Sequence, residues 1–165
     1  MDAQIFELFR KQVTHAGELA FYREKWAATG FAPDMLREPG DVVKVPFTTR
    51  EDLVRAFQTN PPYGGFDIPG ICRVNFTPSH QLGLMPVLNT RRDLELMAER
   101  WAEAFRRAGI TPDDTVQITF SYTVLIPGML FQAACEEIGA RAIPMGPGNT
   151  EQQVKVMNDL KVTAL

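Results

Sequence analysis

Polar side chains that could take part in chemistry gather between Thr77 and Pro86, directly after a predicted β-strand over residues 71–76. Thr77, Ser79 and His80 bring two hydroxyls and an imidazole to this segment. Near neutral pH an imidazole can act as an acid, as a base or as a donor to a phosphate. A single histidine in a loop is more often a solvated side chain, and this interpretation is preferred over a small enzyme that uses His80.

A second candidate segment, Ser121 to Gly128, also follows a predicted strand. Tyr122 lies just beyond that strand, where an aromatic ring could form one wall of an acyl or aryl pocket. Pro127 and Gly128 lie at the entry of the next helix, and proline suits a first helical turn. A tyrosine packed in an interface is the alternative, and both interpretations stay open.

A third segment, Gly146-Pro147-Gly148-Asn149-Thr150, precedes a predicted helix. Glycine allows a backbone to come close to a ligand, and a helix N-terminus attracts anions. Thr150 and Gln153 have the spacing of a capping box, which predicts that the helix begins here. A plain β-to-α turn before a capped helix explains the same residues, and it is the preferred interpretation.

The chain from residue 71 onward has the pattern of a sheet that could bring these segments together. Predicted strands alternate with predicted helices along it, the strands at residues 71–76, 116–120 and 142–145. Short connections of this kind give parallel strands with right-handed crossovers. Ligands of open parallel sheets bind outside the carboxyl ends of the strands, which is where all three candidate segments lie.

The chain therefore belongs to the α/β class. Residues 1–70 are predicted to form a helical N-terminal region, and residues 71–165 a partial parallel βαβαβ sheet, in one compact unit overall. The last four residues, Val162-Thr163-Ala164-Leu165, have the pattern of a buried strand that is only beginning. Because a buried strand needs partners for its backbone groups, we expect part of a larger α/β protein. We also expect a homo-oligomer or a complementing second polypeptide.

Composition and motifs exclude several classes of function. A net charge of −3 argues against a nucleic-acid partner. The sequence has no apolar run of the ~18 residues that a membrane span requires, so we expect a cytoplasmic protein with no membrane partner. The two cysteines lie in no metal-binding or redox spacing. The sequence contains no Walker A, GxGxxG, GxSxG or HExxH motif and no paired carboxylates, so neither a catalytic residue nor a metal ligand is assigned.

A collinear set of short pieces resembles the N-terminal part of the phenylacetate–CoA ligases, which are adenylate-forming enzymes. The pieces are Phe21–Trp26, Val45–Leu53, Pro62–Gly64, Thr90–Leu94, Ala108–Asp114, Tyr122, Glu137–Ala140 and Ile143–Gln153. The resemblance covers nearly the whole chain from about Phe21, and the set as a whole carries it. It implies the fold of the N-terminal subdomain of adenylate-forming enzymes.

The resemblance also implies a reaction and its cofactors. Such ligases activate a carboxylic acid with Mg-ATP to an acyl-adenylate, and then transfer the acyl group to coenzyme A. The candidate cofactor-binding residues are Thr77, Ser79, His80, Gly83, Gly146 and Gly148. The candidate substrate-binding residues are Tyr122, Gly128 and Gln132.

Three departures from the family pattern argue against activity of this chain by itself. The family's flexible Ser-, Thr- and Gly-rich loop should fall at Thr77 to Pro86, but Ser79-His80-Gln81-Leu82 replaces its Gly-Thr-Thr-Gly core and no lysine is present. Gln132 stands where the family often has a histidine. The segments that hold adenine, ribose and magnesium, and the C-terminal domain with the catalytic lysine, should all follow Leu165. We therefore expect that this chain alone binds none of ATP, Mg²⁺ and CoA.

Two hypotheses follow from this resemblance. In the first, the chain is a truncated or stand-alone relative of an AMP-forming phenylacetate or aryl–CoA ligase that is not catalytic by itself. In the second, it is a non-catalytic binding or scaffolding subunit that assembles with itself or with a partner chain. The altered loop favours the second, because a simple truncation would leave Thr77 to Pro86 intact.

Overall fold

The computed structural model describes residues 2–165, and these residues form two compact units. The first unit contains residues 2–69 and Ser79–Met85, and the second contains Gly70–Pro78 and Pro86–Leu165. The α/β class is confirmed. The sheet, however, is parallel only in part, because the first predicted strand pairs elsewhere.

The first unit is helical. Its helices are α1 (Ala3–Ala16), α2 (Ala20–Thr29) and α3 (Arg50–Thr59), with short 3₁₀ turns at Pro33–Met35 and Pro39–Lys44. Helix α3 begins after Thr49, because the hydroxyl of Thr49 and the carboxylate of Asp52 form its capping box. Apolar side chains from the helices and the following turns make its core, namely Phe6, Val13, Trp26, Phe31 and Leu36.

Two strands form a hairpin where the sequence predicted a strand followed by a loop. Strand β1 runs over Ile71–Ser79 and strand β2 over Gly83–Thr90, and the two pair in a sheet of their own. The segment Thr77 to Pro86 is therefore mostly strand, and the turn is only about three residues long. Pro86 is tolerated in β2 because a two-stranded sheet consists of edge strands.

The rest of the second unit alternates helices and strands as the pattern predicted. It contains α4 (Arg91–Arg107), β3 (Thr115–Gln117), α5 (Pro127–Ile138), β4 (Arg141–Ile143) and α6 (Thr150–Asp159). Thr90 and Asp93 form the capping box of α4, and Pro127 occupies the first turn of α5. Helices α4 and α5 pack on β3 around a core of Ala102, Val116, Ile118, Ala134, Cys135, Ile138 and Ala140.

Strand β3 lies in the middle of the parallel sheet. It pairs with β4 on one side, with Val116 opposite Ala142. On its other side Val116 forms a single parallel bridge with Ala164. The predicted final strand is thus present as one bridge, and it runs parallel to β3.

Candidate functional site

The carboxyl ends of β3 and β4 bring two of the predicted segments to one edge of the sheet. The N–H of Ile118 donates to the carbonyl of Ile143 at 2.9 Å, and the N–H of Gly146 donates to the carbonyl of Ile118 at 3.0 Å. Residues 121–128 and 146–150 therefore leave neighbouring strands side by side. This edge is where ligands of parallel sheets bind.

Tyr122 and Gly128 are in close contact at this edge. A Cβ on Gly128 would lie 2.5 Å from the carbonyl oxygen of Ser121 and 3.1 Å from the ring of Tyr122. Only glycine leaves room for this approach between the loop and the first turn of α5. The hydroxyl of Tyr122 is buried and has no hydrogen-bond partner in residues 2–165. Burial, followed by the charges of Cys135 and Glu136, raises the pKa of Tyr122, so the phenol stays protonated near neutral pH.

The side chain of Gln132 is bonded to a neighbour on α5. Its side-chain amide donates to the carboxylate of Glu136 at 2.8 Å, one helical turn further on. Gln132, predicted to bind substrate, therefore contacts Glu136 on the surface of its own helix.

The glycine turn after β4 is closed by its own hydrogen bonds. The amide of Gln153 donates to the carbonyls of Gly146 and Gly148 at 3.2 and 2.5 Å. The two glycines have φ angles of 71° and 87°. The side chain of Asn149 caps α6 by accepting from the N–H of Gln152 at 3.2 Å. Asn149 thus replaces the predicted Thr150–Gln153 capping box, because Gln153 is engaged with the turn.

The hairpin turn between β1 and β2 carries the predicted phosphate-facing residues. Ser79 is only 6% exposed, and its hydroxyl accepts from the N–H of Leu82 at 3.3 Å. His80 is exposed, and Gly83 opens β2. Thr77 lies within β1, so its backbone is part of the strand. The segment is thus a short hairpin turn and not a glycine-rich loop.

Buried amide side chains are a feature that the alternation of residues did not predict. In β1 the polar Asn75 is 2% exposed, whereas its apolar neighbour Val74 is 38% exposed. Gln117 is fully buried in β3, and neither atom of its side-chain amide has a partner in the described residues. The only sequence signal was the presence of amides at regular positions within strands.

Residues 2–165 lack two further features. No group of three or more His, Cys, Asp or Glu side chains lies close enough together to hold a metal ion. No helix in this range has both the length and the apolar character needed to cross a membrane.

Solved structures with the same arrangement define the class of protein. A crystal structure of 2-hydroxyisobutyryl-CoA ligase in the postadenylation state, in complex with 2-HIB-AMP, superposes with a TM-score of 0.82 and 26% identity. The match covers 94% of this chain and 33% of that one. The fold is that of the adenylate-forming CoA ligases.

The curated relatives that this chain resembles share one name. Phenylacetate-coenzyme A ligase from Escherichia coli (strain K12) is 32% identical over 151 residues, which is 89% of this chain and 33% of the relative. The enzyme of the same name from Aromatoleum evansii is 31% identical over 159 residues, 94% of this chain and 35% of the relative. These similarities confirm the resemblance to an N-terminal portion of the phenylacetate–CoA ligase family. The chain spans about a third of the length of these relatives. No family model matches the sequence.

Proposed function

We propose that these 165 residues supply part of the fold of a phenylacetate or aryl–CoA ligase-like protein and do not catalyse adenylation by themselves. The observation that carries the proposal is the short turn between Ser79 and Gly83. In the relatives, ATP, Mg²⁺ and CoA are the expected cofactors of an acid–CoA ligase. The question for this chain is whether its residues could hold a triphosphate.

The hairpin offers few groups to a phosphate. Stabilising the charge that develops as pyrophosphate leaves requires several converging donors and a cation. Here the hydroxyl of Ser79 is buried and already accepts a hydrogen bond from Leu82. Pro78 has no N–H to give. Leu84 is 43% exposed and presents apolar surface next to the turn.

Cations are also missing from this turn. No lysine or arginine occurs between Thr77 and Pro86, so His80 is the only side chain there that could carry positive charge. Carboxylates that could hold Mg²⁺ do not cluster anywhere in residues 2–165. The residues of this chain therefore do not fit Mg-ATP, and no step of the ligase reaction is assigned to them.

A measurement of turnover tests this proposal. The purified chain is incubated with Mg-ATP, phenylacetate and CoA, and both pyrophosphate release and thioester formation are followed. The Escherichia coli phenylacetate-CoA ligase, assayed in parallel, is the positive control. We expect no product above the rate of a reaction without protein. Pyrophosphate release that depends on phenylacetate would contradict the proposal.

A second candidate function is a non-catalytic binding or scaffolding subunit that assembles with itself or with a partner chain. The observation in its favour is the separate β1–β2 sheet, which has only two strands, so that both are edge strands. Exposed strand edges are templates for pairing with another chain. Light scattering of the purified 165-residue chain should give a mass above the 18.5 kDa of one chain. A purely monomeric profile would count against assembly.

A further inference from the structure

A groove between α4 and α5 has an apolar floor and a charged rim. Its volume is about 490 Å³, and all the residues that line it belong to the second unit. Ala98 and Leu130 in its floor are buried, whereas the glutamates that line it are exposed. An apolar centre surrounded by charged and polar side chains is the usual arrangement of a surface that binds another polypeptide.

The two helices of the groove run side by side in the same direction. Near the end of α4, the side chain of Arg106 donates to the carbonyl of Glu137, near the end of α5, at 3.2 Å. The groove follows α5 from Ile126 to Glu137, a length of about 18 Å. One end of the groove therefore lies where the helices begin, and the other lies near the end of α5.

Arginines lie at the end where the helices begin. Arg91 is the first residue of α4. Arg73 of β1 is two residues from Asn75, whose side chain contacts Asn89 just before that helix. Both arginines line the groove, and neither guanidinium has a partner within residues 2–165. This end of the groove therefore carries uncompensated positive charge.

Glutamates lie at the opposite end. Glu136 and Glu137 are in the last turn of α5, where no basic residue accompanies them. Two further glutamates along the rim, Glu95 and Glu99, share the guanidinium of Arg92 at 3.5 Å each. Positive charge where a helix begins and negative charge where a helix ends both oppose the helix dipole. The arrangement is unfavourable within this chain, which points to an external partner with the opposite charges.

We propose that this groove binds an amphipathic helix of a different polypeptide, with acidic side chains in its first turn, basic side chains in its last turn and an apolar stripe between them. Such a helix runs parallel to α4 and α5, and its charges also suit its own dipole. The inference rests on the binding role of the second candidate function and names the kind of partner. Light scattering of the chain alone tests that role separately.

The helices of a second copy fit the groove poorly. Helices α1, α2 and α5 have no acidic residue in the first turn, and α3 and α6 have no basic residue in the last turn. Helix α4 has both, namely Asp93 and the pair Arg106 and Arg107. Its apolar side, however, is already packed on α5, where the ring of Trp101 contacts that of Phe131. A helix from a different polypeptide meets no such obstacle.

Binding of two synthetic peptides to the full 165-residue chain tests the proposal. The first peptide is acetylated, amidated and about 16 residues long, so that it is partly helical in water. Glutamates occupy its first turn, lysines its last turn, and leucines follow the i, i+3, i+4, i+7 spacing between them. The second peptide exchanges the glutamates and the lysines. Fluorescence anisotropy at low ionic strength should show that the first binds at least about ten-fold more tightly.

Charge reversal of the protein gives the decisive readout, because the second peptide is also the poorer helix. In the double variant Arg91→Glu, Glu137→Lys the preference should change by at least about ten-fold toward the second peptide. The control is Arg100→Glu, Glu103→Lys, which makes the same exchange at exposed positions of α4 outside the groove. It should change the preference by less than about two-fold.

Three outcomes would overturn the proposal. The first is absence of binding by both peptides. The second is a preference that the Arg91→Glu, Glu137→Lys variant keeps. The third is a chain that ignores both peptides and whose mass in light scattering falls on this reversal, which would favour a second copy as the occupant. No ATP is present, so failure here is distinct from failure of the ligase proposal.

Discussion

The side chains of Asn75 and Asn89 meet across the β1–β2 hairpin, where the Nδ2 of Asn89 lies 3.4 Å from the Oδ1 of Asn75. Both residues are almost completely buried. The Nδ2 of Asn75 also donates to the carbonyl of Val124 at 3.3 Å, and the N–H of Phe76 donates to the same carbonyl at 2.9 Å. The amide pair thus ties the base of the hairpin to the loop that carries Tyr122.

Removal of one amide should destabilise the second unit. Asn89→Ala takes away a donor to Asn75 and leaves a buried acceptor less satisfied, which costs about 1–3 kcal/mol in the free energy of unfolding. Urea denaturation followed by circular dichroism measures the difference. Asn158→Ala, at an exposed position of α6, is the matched control and should change stability by less than about 0.5 kcal/mol. Equal effects of the two variants would show that the amide pair contributes nothing.

Gly128 should not tolerate a methyl group. In Gly128→Ala the new Cβ would lie 2.5 Å from the backbone oxygen of Ser121, so the loop or α5 must shift. We expect a loss of about 1–3 kcal/mol in unfolding free energy, together with a change in the near-ultraviolet signal of Tyr122. Gly40→Ala is the control, because its nearest neighbour would be 3.9 Å away. A Gly128→Ala variant as stable as the wild type would refute the close packing of this loop.

Stability should fall in acid because of Asp52. The hydrogen bond from Lys25, followed by that from the N–H of Thr49, lowers the pKa of Asp52 from 3.8 to about 2. A carboxyl with a lowered pKa in the folded state stabilises the fold above its unfolded pKa, and this contribution is lost as the pH falls through the folded pKa. Urea midpoints should therefore decrease between about pH 4.5 and about pH 2.

Asp52→Asn provides the control for this acid dependence. The variant lacks the ion pair with Lys25, 2.6 Å in the wild type, and should be less stable near neutral pH. The difference in unfolding free energy between wild type and variant should become smaller toward about pH 2, where Asp52 of the wild type also becomes neutral. Asp41 has its own lowered pKa, caused first by Lys44, and keeps some acid dependence in both proteins. A difference in unfolding free energy that stays constant with pH would show that Asp52 does not cause the loss of stability in acid.

The two thiols should react at different rates. Cys72 is exposed, whereas Cys135 is fully buried, and burial raises the pKa of its thiol. Because the thiolate is the reactive form, we expect one thiol to react with a disulfide reagent in the native protein and two after unfolding. In Cys72→Ser no thiol should react before unfolding. Rapid modification of Cys135 in that variant would contradict the packing of α5.

The sequence predicted the helices better than the strands for identifiable reasons. Helix α4 has both a regular apolar stripe and the Thr90–Asp93 capping box, and these local signals agree. Strand β2 contains Pro86 and no clear alternation, so the local pattern predicts a loop; the pairing that defines the strand comes from β1. In β3 the polar side chain of Gln117 is buried among apolar neighbours, because both faces of this central strand are covered. Burial of that kind is set by packing and is not visible in local pattern.

The candidate site was predicted in outline and not in detail. The segments around Tyr122 and Gly146 do lie at one edge of the parallel sheet, as βαβ connectivity requires. The side chain of Gln132 bonds to Glu136, and that of Asn149 caps α6. Each of them depends on selection among hydrogen-bond partners of nearly equal energy. Sequence spacing does not decide between such partners.

Titration calorimetry with Mg-ATP tests the central claim most directly. If the turn between Ser79 and Gly83 has replaced a phosphate-binding loop, the chain should give no binding heat with Mg-ATP at millimolar concentration, while the intact Escherichia coli relative measured in the same way serves as the reference. Binding of Mg-ATP to the 165-residue chain with a micromolar dissociation constant would contradict the account.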